Sequence, residues 1–215
     1  MMIGPPDTIK CPACRMKQQC MSLMSGNTIG ALYYTDGKRI APMLPDLPYH
    51  IKCPKCGVFF KITNRLIKRP SKRDLPNVEF LSIDELRAAI IAGLYNAEKE
   101  GSKGRKEDDI SLRLDLWRAF NDRVRNNSEN DITVPWKNPD EKTAYETNCR
   151  ELLILMNEDN NDTFYLLRAE LHRNLGEFDE CKRIMQKVSE PDNYEGFISA
   201  MTEACDNKNV LTFCL

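Results

Sequence analysis

Two cysteine pairs constrain this chain more than any other feature: Cys11-Pro12-Ala13-Cys14 and Cys53-Pro54-Lys55-Cys56, the second followed by Gly57. Two residues between thiols let one tight turn aim both sulfurs at a single point. Two such turns supply four thiolates, the donor set of a tetrahedral structural zinc site. The spacing nominates Cys11, Cys14, Cys53 and Cys56 as ligands of one Zn(2+) per chain. Four thiolates leave no open coordination position, so such an ion holds structure and does not activate water.

Two rival readings of the same pairs follow from other chemistry. A rubredoxin-like iron site also closes with C-P-x-C-G. The first turn here runs on into Arg15 where that family has glycine, which favours zinc. A thioredoxin-like redox pair opens a helix inside a βαβ pattern, and neither pair sits in one. The remaining cysteines, Cys20, Cys149, Cys181, Cys205 and Cys214, stand singly and form no disulfide framework. Cys20 reads as a small buried residue. His50, three residues before Cys53, reads as lying on the surface or beside the site. The other histidine, His172, falls within a helical pattern and reads as a packing or partly exposed helix residue. With two histidines in different parts of the chain, no Ser/His/Asp or Cys/His catalytic arrangement is visible. No catalytic residue is nominated, and the chain reads as a non-enzyme.

The 215 residues allow one ordinary domain and a small metal-stapled one. MMIGPPDTIK lacks the layout of a signal peptide, and no apolar run is long enough to span a bilayer. A cytoplasmic protein with reduced thiols is expected. Net charge is only −1, but residues 1–73 hold 13 basic and 3 acidic side chains, and the rest reverses the balance to −11. A basic head on an acidic body implies an anionic partner for the head, or attraction between the halves.

The head reads as β-rich. Asp36-Gly37 signals a hairpin between Ala31–Thr35 and Lys38–Ile40, and prolines 42, 45 and 48 make an extended strap. Val58, Phe60 and Ile62 alternate as in a short strand. Residues 64–77, NRLIKRPSKRDLPN, read as a linker. Beyond it the period turns helical. Ser82-Ile-Asp-Glu85 is a capping box opening a helix to about Glu98. A second helix spans about Glu107–Arg125, with Leu112, Leu116, Phe120 and Val124 on one stripe. Four more are centred on Cys149, Leu167, Cys181 and Met201, and the apolar tail from Val210 is expected to dock back on them. The predicted class is α+β in two domains, 1–73 with the metal site and basic linker, and 74–215 all-helical. Cleavage within Lys68–Arg73 should then release a helical fragment.

Lys61, Arg65, Lys68, Arg69, Lys72 and Arg73 follow the aromatic pair Phe59-Phe60. Interleaved aromatics and cations suit single-stranded nucleic acid, where bases stack and phosphates pair with cations. The competing reading, a solvated linker whose aromatics fill a tiny core, is the stronger one.

Residues 162–193 resemble one tetratricopeptide unit: Tyr165 at the early aromatic, Ala169 at the small position, Gly176 in the turn, then Phe178 and Cys181. Arg168 departs from the apolar residue usual there. The head, CPAC…SGNTIGALYYTDGKRIAPMLP…KCPKCG, resembles a group of uncharacterised bacterial proteins that join a zinc-ribbon head to a helical, tetratricopeptide-like tail. The resemblance covers about residues 11–60. It implies that domain order and the four cysteine ligands, and it implies no activity. The expectation is a zinc-binding adaptor that binds another protein, with no membrane or small-molecule role. Nucleic-acid binding through the basic ribbon is the first alternative, and a rubredoxin-like iron or thiol redox protein the second.

Overall fold

The computed structural model describes residues 1–68, 70, 74–95, 106–125 and 133–215. The chain is mixed α+β, with small sheets toward the N-terminus and six α-helices among the described residues. Its packing divides into two compact units: residues 1–31 with 40–112, and residues 32–39 with 113–215. The units do not follow the change of composition at residue 74: the Asp36-Gly37 hairpin goes with residues 113–215, and residues 74–112 go with the sheets.

In the first unit β1 (Met2–Lys10) pairs antiparallel with β2 (Lys17–Ser25). The register shifts between Gly4 and Asp7, which spans Pro5 and Pro6. Proline cannot donate to a ladder, so a bulge is where a strand tolerates it. The far side of β1 pairs with β7 (Ile67–Lys68) at Thr8 and Ile9. Residues 64–68 and 74–77 are thus more than a linker. Leu66, Ile67 and Val78 pack on the ribbon core, and Gln19 bridges to Asn77. A separate hairpin joins β5 (His50–Lys52) to β6 (Phe59–Lys61). Ile9, Cys20, Ile51 and Phe60 close around Cys11 and Cys53 as one buried core. Helix α1 (Ile83–Ala92) opens on the expected capping box: Ser82 Oγ accepts from Glu85 N at 3.3 Å, and Glu85 Oε2 accepts from Ser82 N at 3.1 Å. It stops at Ala92, short of Glu98, because Gly93 takes φ 76° and bonds back to Ala89 O.

The second unit is built on α2 (Lys106–Arg125, from Arg113 on), α3 (Pro139–Leu155), α4 (Asp162–Asn174), α5 (Phe178–Met185) and α6 (Glu195–Asp206). The α4–α5 turn has a physical cause in Gly176, at φ 77°. Gly176 N–H bonds Arg173 O at 2.9 Å, and Glu177 N–H bonds His172 O at 2.9 Å, the paired closure of a helix C-terminus. Ala169 and Cys181 are fully buried where the two helices meet, within a core that includes Ile184, Met201 and Cys205. The hairpin β3 (Leu32–Tyr33) and β4 (Arg39–Ile40) turns at Thr35-Asp36-Gly37. Gly37 sits at φ 73°, and Tyr34 N bonds Lys38 O at 2.9 Å. The tail does dock, by adding to this hairpin: Leu215 N bonds Tyr33 O at 2.8 Å and Thr35 N bonds Phe213 O at 3.1 Å.

Candidate metal centre

Both cysteine turns adopt the same backbone geometry. In the first, Cys11 N donates to Met16 O at 2.8 Å and Arg15 N to Cys11 O at 3.1 Å. In the second, Cys53 N donates to Val58 O at 2.9 Å and Gly57 N to Cys53 O at 2.9 Å. The residue after each second cysteine is left-handed, Arg15 at φ 66° and Gly57 at φ 74°. Arg15 therefore does what glycine does at the other turn. The backbone hydrogen bonds of the two turns match, so the arginine does not discriminate between zinc and iron.

The turns face each other and bring four sulfurs within 4.8 Å of one another. Cys14 Sγ lies 3.5 Å from Cys53 Sγ, and Cys11 Sγ lies 3.8 Å from Cys56 Sγ. A tetrahedron with metal–sulfur bonds of about 2.3 Å has sulfur–sulfur edges of about 3.8 Å. The gathered thiols fit one tetrahedral ion. Cys11 and Cys53 are buried, Cys14 half-buried and Cys56 exposed. Burial pushes the Cys11 thiol up to about 12 and raises Cys53, while the Met16 backbone N–H is the main cause that brings Cys14 down to about 7. Two buried thiols that resist ionisation need a cation to become thiolates, so metal uptake would release protons.

The remaining nominated residues do not gather. Cys20 is buried in the ribbon core, and burial raises its pKa. His50 is buried too, contrary to a surface placement: its ring meets Tyr49 edge-on at 5.0 Å, and its strand position faces Lys61 across the hairpin. It lies outside the four-sulfur cluster. His172 Nδ1 contacts Glu177 Oε2 at 2.7 Å at the end of α4. Of the basic run, Lys61 pairs with Asp108 at 2.5 Å and sits over the Tyr49 ring, while Lys68 Nζ caps Arg65 O at 2.8 Å. Arg69, Lys72 and Arg73 lie outside the described residues. Phe60 is fully buried in the core, while Phe59 is half-buried with Lys52 Nζ over its ring at 5.7 Å.

Sequence reading missed a second polar cluster, buried in the helical unit. Asp36 Oδ2 meets Arg125 Nη1 at 2.8 Å and accepts from Asn121 Nδ2 at 3.0 Å. Glu170 receives Arg173 through both carboxylate oxygens, at 2.6 and 2.8 Å, and Thr35 Oγ1 at 2.7 Å. Arg173 also donates to Asn209 O and Leu211 O, and Asn174 to Val210 O, which holds the tail. Burial raises the Glu170 carboxyl against the lowering field of Arg173. Asp36, Arg125, Glu170 and Arg173 have fully buried side chains, so they fasten hairpin, helices and tail to one another. The sequence signals were the i, i+3 spacings of Glu170 with Arg173 and of Asp122 with Arg125, which are common on exposed helix faces.

No described helix is long and apolar enough to cross a membrane. The chain matches no protein-family model, no curated protein and no solved structure.

Proposed function

We propose that the chain is a non-enzymatic zinc-binding adaptor. Cys11, Cys14, Cys53 and Cys56 hold one structural zinc ion, which locks the two turns of the head, and the helical unit binds another protein. The observation that carries the reading is the closed four-sulfur cluster, whose edges fit a tetrahedral ion and leave no position for substrate or water. The α4–α5 hairpin supports the second half: Ala169, Gly176 and Cys181 stand where a tetratricopeptide-like unit needs small or turn-forming residues. The nucleic-acid alternative loses Lys61 and Phe60, which are engaged inside the head.

Elemental analysis of protein purified without added metal tests the centre. About one zinc per chain is expected, and Cys53→Ser should abolish it. A visible iron–thiolate absorbance would establish the rubredoxin-like alternative instead, and metal-free folded protein would sink both. Retention on single-stranded DNA at about 50 mM salt, falling steeply as salt rises, would restore the nucleic-acid alternative.

A further inference from the structure

Among the described residues the outer side of β2 is open over most of its length, as is the far side of β1 before Thr8. β2 is the outer strand of its sheet, and its outer side is used at Gln19: Gln19 N–H donates to Pro76 O at 2.8 Å, and Gln19 O accepts Val78 N–H at 2.8 Å. Strand periodicity points the main-chain groups of Met21 and Leu23 the same way. Among the described residues no backbone partner meets them.

Proteins ordinarily blunt such an edge with lysine, proline or a covering element. Here residues 18–35 contain no charged residue and no proline, in a chain that is 29% charged. The two prolines of the ribbon, Pro5 and Pro6, lie on β1, the inner strand. Exposed apolar side chains flank the open edge: Met21 and Met24 on β2, and Met2 and Ile3 on the paired end of β1, with Met24 67% exposed. Methionine suits a contact surface because its unbranched, polarisable chain adapts to what it meets.

We propose that this edge pairs antiparallel with the same edge of a second copy, β2 against β2 about a two-fold axis, with the methionines closing over the seam. Electrostatics choose the occupant. The compact unit that carries β2, residues 1–31 with 40–112, holds 16 basic against 11 acidic side chains, so two such units repel wherever their cations face each other. Residues 18–25, which follow Lys17 on β2 and carry no charge, are the stretch on which that repulsion is least. A polyanion or acidic peptide would find no cation there. An antiparallel edge is also self-complementary, since each N–H that one copy offers meets a C=O of the other.

Sedimentation velocity of the metal-loaded full chain over roughly 1–100 µM tests this. The expected species is a dimer of twice the 24.8 kDa chain mass. Met21→Lys with Met24→Lys sets like charges across the seam and should raise the dimer dissociation constant at least about tenfold. Met21→Pro, which removes one outward N–H, should weaken it without adding charge. Ile91→Lys, at a site 88% exposed on α1, should leave it unchanged. Zinc content measured on every variant separates a failed interface from a failed metal centre. A chain that stays monomeric throughout, or a dimer indifferent to the paired lysines, overturns the proposal.

Discussion

Arg15 and Gly57 do the same backbone work with different side chains. A left-handed L-residue costs roughly 1–2 kcal/mol because its Cβ crowds the following carbonyl. Arg15 carries that strain and is exposed, while Gly57 does not. Arg15→Gly should therefore stabilise the metal-loaded head by about 0.5–1 kcal/mol, the gain being reduced by the freer unfolded chain. Gly57→Ala should destabilise it by about 1–2 kcal/mol. Thermal melts of the loaded protein check both, and equal shifts in the two variants would refute the argument. A second residue sets acid behaviour. Glu141 forms a forked pair with Arg123 at 2.6 and 3.1 Å and accepts Lys137 N–H at 2.7 Å. The Arg123 guanidinium first, then that N–H, hold its carboxyl down at about 2 against an ordinary 4.5. A depressed folded pKa contributes stability that is fully present above 4.5 and is lost as pH falls toward 2. Urea midpoints measured between those two pH values should fall less steeply in Glu141→Gln than in the parent.

At the scale of elements, the β3–β4 hairpin owes its place to the charge it buries. Asp36 is fully buried against Arg125 and Asn121. Removing one member of a buried pair leaves an uncompensated charge, a cost of about 3–5 kcal/mol. Asp36→Ala should lower the unfolding free energy of the helical unit by that amount, read from far-UV circular dichroism in urea. Asp206→Ala, which breaks the exposed pair with Lys182, should change it by under about 1 kcal/mol. A small effect at Asp36 would mean that the hairpin is an ornament of the unit and not part of its framework. Spacing and caps made several elements legible: the cysteine turns, the Ser82 box, the Asp36-Gly37 turn and the Gly176 helix stop all rest on contacts within a few residues. The strand Met2–Lys10 was not legible. Pro5 and Pro6 argue against a strand, and only the bulge against β2 resolves the conflict.

For the whole molecule, the chain passes between the two compact units at residues 31/32, 39/40 and 112/113. The helical unit is therefore completed by a segment that precedes the second cysteine pair. A protease site inserted between Lys68 and Asp74 would separate residues 32–39 covalently from the helices they pack with. The two fragments should still co-elute, held by Asp36–Arg125, by Thr35–Glu170 and by the tail strand on Tyr33. A C-terminal fragment that leaves alone with full helicity would show that the hairpin is dispensable.

The sequence by itself determined the four-cysteine cluster, the helical periods and the turns, because each depends on residues close along the chain or on a spacing that few other arrangements use. Only the tertiary structure decided which unit owns the hairpin and where Asp36, Glu170, Arg125 and Arg173 go. Thr35 and Glu170 stand 135 positions apart. Taken alone, each of the four is a charged residue whose ordinary place is water. Burial becomes favourable only when partners supplied by distant elements replace the lost hydration, and no local pattern records that exchange.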